Sequence, residues 1–267
     1  MTEEIHDMHS GWNSLAAEML YSSMRDRPSS EELAFYEKRI RENGGIALDQ
    51  ACGTGSHIFP LLAKGLEVHG ADISDDSLNL AKKEAKKQEV NVILFNQVME
   101  ECDIPHRYGT IFSNSFQVIA DREKAFTALQ RFREHLVPGG QLLLELFIPW
   151  QVTQGVDCND EDHPTHWNDM PIRDGKGEVK TTLWSESVDL FEQVLLSKRR
   201  YDVYVDGEFV RSETHAFWLR WYFHHEFVMM LEKTGYDNIT TYGDYTDNPA
   251  DQNSKVIIYG AYNPKML

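Results

Sequence analysis

Two segments of this sequence combine residue types and spacing that suit a nucleotide-like ligand. In Ile46-Ala47-Leu48-Asp49-Gln50-Ala51-Cys52-Gly53-Thr54-Gly55-Ser56 an apolar strand runs into a glycine-bearing turn and then a helix. Gly53 and Gly55 permit unusual dihedrals and a close backbone approach to a ligand. In Val68-His69-Gly70-Ala71-Asp72-Ile73-Ser74 a second strand ends in a carboxylate, 19 residues beyond Gly53. A carboxylate at such a strand end can accept hydrogen bonds from both hydroxyls of a ribose. Helix capping is the plainer role for Asp72, but Ser74 already fits that job. The glycines alone could serve an ordinary chain reversal; the carboxylate that follows argues for a site. A dinucleotide fingerprint spaces three glycines as G-x-G-x-x-G/A, and here Ile58 fills the third position, where its bulk disfavours the tight helix packing of that fold.

The string from Leu48 to Gly55 resembles the first motif of the class I S-adenosylmethionine-dependent methyltransferases, Leu-Asp-(apolar)-(Gly or Ala)-Cys-Gly-Thr-Gly. The resemblance runs to about Pro149 and implies S-adenosylmethionine as cofactor. It draws Asp49, Ala51, Cys52, Gly53 and Gly55 into the cofactor site, with Asp72 and Ile73 at the next strand end. The third strand exit is similar to the segment that reaches the adenine ring: Val98 stands where relatives often carry an acid, Met99 matches the apolar residue that packs on the ring, and Glu100 or Glu101 could substitute for the acid. By the switch-point rule, Ser113, Asn114, Ser115 and Phe116 after the fourth strand border the sulfonium and the acceptor. In similar enzymes the amino-terminal helices and the segment before the late helix reach the acceptor, which brings in Tyr21 and Tyr222.

Methyl transfer from a sulfonium is an in-line displacement with a neutral leaving group, so the protein supplies approach geometry and excludes water, and no metal is required. An amine acceptor need only arrive unprotonated; a hydroxyl or carbon acid wants a base. Candidate groups are His163 and His166 in a polar loop, His215 on a strand, Tyr222, and His224 and His225, neighbours that cannot share one helix face. No base is assigned among them. Cys158 with His163 and His166 falls short of a zinc ligand set. Phe217-Trp218-Trp221-Tyr222-Phe223 reads as core of an inserted sheet or as an acceptor wall shaped for a cation. Sugar amines, other amines and hydroxylated metabolites all stay open as acceptors. Two other functions stay open as well, a dinucleotide-dependent oxidoreductase and a cofactor-binding module without turnover.

These residues must be positioned by an α/β core. Short apolar strands, Ile46–Ala51, Glu67–Asp72, Val90–Asn96, Thr110–Asn114 and Gln141–Phe147, alternate with helical patterns, the rhythm of a doubly wound parallel sheet. Ser74 and Asp121 open two of the helices, and Pro138-Gly139-Gly140 ends the second. Upstream, one helix is expected over Ser10–Met24 and another from Ser29, with capping-box spacing to Glu32. A polar loop, Val152–Lys176, leads to strands Thr181–Val188, Gln193–Val205 and Glu208–Arg220, with Asp206-Gly207 as a hairpin turn. A late helix and two more strands, the last inserting antiparallel as the resemblance implies, complete a seven-stranded, mostly parallel, Rossmann-like sheet. The expected division is an N-terminal helical cap over 1–45, a cofactor-binding core over 46–150 and 222–267, and a small antiparallel β insertion over 151–221 on the acceptor side. That insertion resembles those of methyltransferases acting on nucleotide-linked amino sugars and other small metabolites.

Hydrophobic residues make up 41% of the 267, enough to bury a substantial core. A net charge of -17 with no basic block leaves little affinity for nucleic acid through counterion release. No stretch approaches the roughly 20 apolar residues of a membrane helix, and the first residues lack the features of a signal peptide. Cys52, Cys102 and Cys158 are odd in number and widely spaced, which suits a reducing compartment, so the expected location is the cytoplasm and the expected partner a small-molecule acceptor. The inserted sheet offers an edge through which two copies could pair as a homodimer.

Overall fold

In the computed structural model, which describes residues 3–6, 14–22, 28–149, 165–171 and 177–265, two sheets share one chain. In chain order the elements are β1 (Glu3–His6), α1 (Leu15–Ser22), α2 (Ser30–Asn43), β2 (Ala47–Gln50), α3 (Ile58–Ala63), β3 (Val68–Asp72), α4 (Asp75–Gln88), β4 (Leu94–Asn96), β5 (Tyr108–Ser113) and α5 (Arg122–His135). There follow β6 (Leu136–Leu146), β7 (Thr165–Pro171), β8 (Gly177–Asp189), β9 (Val194–Val205), β10 (Glu208–Arg220), α6 (His224–Lys233), β11 (Asp237–Gly243) and β12 (Ile257–Tyr262). The larger sheet is seven-stranded in the order β11-β12-β6-β5-β2-β3-β4. Its strands from β6 to β4 run parallel, and β12 enters antiparallel between β6 and β11, as the resemblance implies. Helices cover both faces, so β2 and β3 are buried along their whole length. The strand order reverses between β2 and β5, which opens a crevice above their carboxyl ends.

Local chemistry sets the helix limits. Ser29 Oγ accepts from Glu32 N at 3.1 Å, Ser74 Oγ from Ser77 N at 3.1 Å and Asp121 Oδ1 from Lys124 N at 2.9 Å, each the expected N-cap. In α4, Asp75 and Asp76 in the first turn and Lys86 and Lys87 in the last complement the helix dipole. Between α3 and β3 the packing is tighter than the bulk of Ile58 would suggest. A Cβ at Gly70 would sit 2.6 Å from Ile58 Cδ1, 2.7 Å from Cys52 Sγ and 2.8 Å from Leu94 Cδ2. The small residue that a close helix–strand contact requires stands on the strand instead of the helix.

The structure departs from the sequence reading at three places. Pro138-Gly139-Gly140 does not close a turn: α5 stops at His135 and β6 starts at once, with the glycines inside it. Gly139, at φ +81°, donates to Asn263 O at 2.8 Å, and Asn263 Nδ2 donates to Leu136 O, so the chain end holds this irregular stretch as a strand. The second sheet is five-stranded, in the order β1-β10-β9-β8-β7. It gains β7 from a segment read as polar loop, and a parallel partner for β10 from β1, upstream of the expected helices. Both are short and carry no clean alternation, so pairing decides them. The Asp206-Gly207 hairpin is as expected, with both residues at positive φ (53° and 83°) and Val205 opposite Glu208.

Helix α1 joins the two sheets. Leu15, Ala16 and Met19 pack on Val179, Tyr201 and Val203, Leu15 N donates to Glu213 Oε2, and Ser14 N donates to Asp76 Oδ2 at the start of α4. Among the described residues no helix is long and apolar enough to cross a membrane. Gly70→Ala should overpack the α3–β3 contact and cost about 1–3 kcal/mol in denaturant unfolding. Adding Ile58→Val should return part of that loss; strictly additive losses would show that the contact is not the cause.

Candidate functional site

The crevice holds a cavity of about 1150 Å³. On its floor β2 gives way to a turn in which Ala51, Gly53 and Gly55 all have positive φ (62°, 52° and 86°). Cys52 N donates to Ala71 O at 3.0 Å and fastens the turn to the neighbouring strand. Gly53 faces open space, so a side chain there would enter the cavity as well as strain the backbone. Gly55 has another job: a Cβ would meet the Phe59 ring at 2.6 Å, so its bareness seats α3. Asp72, at the end of β3, joins both halves. Its Oδ2 accepts from Gly53 N at 2.7 Å and its Oδ1 from Ser74 N at 2.8 Å. Burial pushes its pKa up, and the N–H groups of Ser74 and Gly53 offset part of that.

Around this floor the cavity wall includes Ile73, Val98, Met99 and Glu100 on one side, with Glu100 held by Lys124 Nζ at 3.0 Å. Asn114 and Ser115 follow β5, and Phe217, Trp218 and Arg220 come from the far end of β10. Thus Ala51, Cys52, Gly53, Asp72, Ile73, Met99, Glu100, Asn114 and Ser115, all singled out in the sequence, meet at one cavity. Seven others do not reach it. Asp49 is buried behind the turn, Gly55 lies under Phe59, and Ser113 Oγ accepts from Ser115 N from below. Phe116 and Tyr222 stack with Phe227 in the core, because the segment before α6 turns its rings inward. His224 packs on Tyr259, its Nδ1 3.3 Å from the phenol oxygen. His215 pairs with Glu213 at 3.2 Å in the second sheet. Of the aromatic run only Phe217 and Trp218 face the cavity. Cys158 and His163 lie outside the described residues, as do the side chains of Tyr21 and His166. Among the described residues no three His, Cys, Asp or Glu side chains are placed to hold a metal.

The sequence reading missed a second cluster on the same wall. Glu32 of α2, His57 before α3, Glu145 near the end of β6 and Tyr245 after β11 all line the cavity. His57 Nε2 lies 2.6 Å from Glu32 Oε1, and its Nδ1 is 4.0 Å from Asp49 Oδ2. Tyr245 donates to Glu145 Oε2 at 2.6 Å. Residues 25 and 100 apart in sequence leave no local signal, although an acid inside the apolar run Leu142–Leu146 is a visible oddity. Gln50 was a second: it sits where the motif expects an apolar residue, and its Oε1 is buried without a partner in the cavity wall.

Burial drives the Asp49 pKa up to about 7, with His57 pulling the other way. Burial lowers that of His57, but the hydrogen bond to Glu32 and the charges of Asp49, Glu32 and Glu145 outweigh it and the net shift is upward. Both groups therefore bind more protons folded than unfolded. Asp49 does so from the ordinary carboxylate range to about 7, and His57 from the ordinary imidazole range upward, so stability falls as pH rises through those windows. Thermal midpoints should drop between about pH 4 and about pH 7, and Asp49→Asn should flatten that drop. An equally steep fall in the variant would remove Asp49 as its source.

Residues 47–140 match a family model described as a methyltransferase domain. The dTDP-3-amino-3,6-dideoxy-alpha-D-glucopyranose N,N-dimethyltransferase of Streptomyces fradiae is 28% identical over 121 residues, 45% of this chain and 45% of that one. The chain thus spans about half the length of the curated relatives it matches. An S-adenosylmethionine-dependent methyltransferase from Clostridium acetobutylicum shares the fold at a TM-score of 0.75, with 18% identity over 93% of this chain and 97% of that one. The sugar N-methyltransferase KedS8 from Streptoalloteichus sp shares it at 0.69, with 16% identity over 90% of each chain. Residues 47–140 thus match a methyltransferase domain, and the chain shares its fold with S-adenosylmethionine-dependent methyltransferases. The rival dinucleotide reading gives way, since the glycine turn and its carboxylate fall within the methyltransferase match.

Proposed function

We propose that the protein transfers a methyl group from S-adenosylmethionine to a small molecule bearing an amine or hydroxyl. The observation that carries this reading is the clasp between Asp72 and Gly53 on the floor of a cavity that continues to the aromatic wall of β10. The site fits the cofactor: the space above Gly53 is open, and a carboxylate oxygen has further lone pairs for ribose hydroxyls beyond its one main-chain bond. When bound, S-adenosylmethionine supplies a methyl group activated on a sulfonium. Asp72 would hold the ribose, the main chain of Ala51, Cys52 and Gly53 would border the tail, and Ile73, Met99 and Glu100 would border the adenine. Asn114 and Ser115 would lie toward the acceptor. Asp49, Gly55 and Ser113 act from behind the wall, by shaping it.

On this reading 46–150 and 222–267 form the cofactor-binding core, and 151–221 closes the acceptor side through Phe217 and Trp218. The Streptomyces fradiae and Streptoalloteichus relatives are named for sugar N-methylation, which favours an amino-bearing acceptor here. Cys52 and Cys102 are free and buried, which suits the cytoplasm. Among the described residues β7 is an outer strand of the second sheet, through which a homodimer would form.

Calorimetry with S-adenosylhomocysteine should show binding by the wild type. Asp72→Ala should weaken it by about 1.5–3 kcal/mol through lost charge-assisted hydrogen bonds, and Gly53→Val should weaken it further. Binding of a nicotinamide dinucleotide in place of S-adenosylhomocysteine would overturn the proposal.

A further inference from the structure

The cavity wall carries more negative charge than its partners absorb. Glu32 and Glu145 face the cavity from α2 and β6, with Asp49 buried just behind, and His57 is the single basic side chain paired to any of the three among the described residues. Glu145 gives Oε2 to the Tyr245 hydroxyl, and no hydrogen bond to its Oε1 is made by the described residues. The surroundings of this cluster are unfinished. Tyr36 is fully buried, its hydroxyl has no hydrogen-bond partner among the described residues, and it feels the charges of Glu145, Tyr245, Glu32 and Asp49. Asp49 Oδ2 and Gln50 Oε1 are also buried without hydrogen-bond partners among the described residues, Gln50 in the cavity wall itself. A buried acceptor left unpaired, or a buried charge in excess, is costly unless a donor or cation arrives to meet it.

The position of Glu145 in the sheet says which cation. Its strand, β6, neighbours β5, and β5 neighbours β2 on the far side. Glu145 therefore lies one strand beyond Asn114, away from Asp72 and the adenine wall and toward the acceptor end.

We propose that Glu145, steadied by Tyr245, is the catalytic residue that receives the acceptor's amino group as an ammonium and takes its proton. This rests on the methyl-transfer reading above and narrows its acceptor to an amine. In the step, one N–H bond of the ammonium breaks and an O–H bond forms on Glu145 Oε1. The electron pair of the N–H bond stays on nitrogen as the lone pair that a nucleophile needs. A charged pair becomes a neutral amine and a neutral carboxylic acid, and the low dielectric of the wall favours that exchange. The proton leaves Glu145 to solvent when the product departs. The groups facing Glu145 are Glu32 and Tyr36 from α2, His57 from the start of α3 and Tyr245 from the loop after β11.

The test uses the full chain, with and without S-adenosylhomocysteine, and cyclohexylamine and cyclohexanol as matched charged and neutral probes. The wild type should bind the amine more tightly than the alcohol. Glu145→Gln should weaken amine binding about tenfold or more while leaving the alcohol and S-adenosylhomocysteine within about twofold, and Glu32→Gln should fall between. Infrared difference spectra should show the carbonyl band of a protonated carboxylic acid when the wild type binds the amine, and Glu145→Gln should lack it. Three results would overturn the proposal: equal affinity for the two probes, unchanged amine binding in Glu145→Gln, or S-adenosylhomocysteine affinity falling in step with it, which would give the cluster to the cofactor. Absence of S-adenosylhomocysteine binding by the wild type is a separate failure, that of the methyl-transfer reading, because the amine arm without it still judges Glu145.

Discussion

The Asp72 carboxylate does two things at once, and the site depends on their being compatible. With Oδ2 it holds the N–H of Gly53 at 2.7 Å, and with Oδ1 the N–H of Ser74 at 2.8 Å, so one side chain fixes the turn after β2 and the start of α4. A carboxylate that accepts main-chain N–H groups is oriented without any cation pinning it, and it keeps lone pairs for a ligand. Gly53 can lie this close because its φ of 52° turns the N–H toward β3 and it has no side chain to fill the cavity. Ser74 relieves Asp72 of capping by accepting from Ser77 N itself. The carboxylate is thus positioned by the fold before any ligand arrives, and binding need not pay for ordering it.

The opposite wall is arranged on another principle. Around Asp72 the acceptors and donors match, whereas around Glu145 acceptors outnumber donors and a tyrosine hydroxyl points at no partner. Burying Asp49 and Glu145 costs stability, as their raised pKa values record, and the charge of Glu32 adds to the shift of each. His57 offsets part of this by joining Glu32 and approaching Asp49. It also ties α2 to the turn, so the charge pattern and the entry angle of the first core helix are one feature.

The parts of the molecule legible in the sequence were those set by short-range rules. Caps at Ser29, Ser74 and Asp121 depend on a residue and its neighbour three positions on. The turn at Asp206-Gly207 depends on two residues that tolerate positive φ. The glycine turn and Asp72 were legible because a strand end and its turn form one local unit. What stayed hidden was decided by pairing between distant segments. β1 and β7 become strands because β10 and β8 offer edges to them, and Pro138-Gly139-Gly140 becomes strand because Asn263 holds it. Phe116 and Tyr222 lie off the cavity wall for a related reason. The switch-point rule that drew in Phe116 and the resemblance that drew in Tyr222 locate segments, not the side toward which a ring points, and here both rings pack on Phe227.

Ile58 shows how a departure from one motif can be absorbed by another residue. In a dinucleotide fold a glycine at this helix position lets helix and strand approach. Here Ile58 is fully buried, and the approach is preserved because Gly70 on β3 leaves the room, with Cys52 and Leu94 filling what remains. The exchange has a consequence for the site. Gly70 lies two residues before Asp72 on the same strand, so any shift of α3 away from β3 would move the carboxylate relative to Gly53. The packing of one methyl group against a bare strand position and the hydrogen bond from Gly53 to Asp72 are therefore a single constraint. A glycine on the strand in place of one on the helix is what allows this chain to keep Asp72 against Gly53 under a bulkier helix.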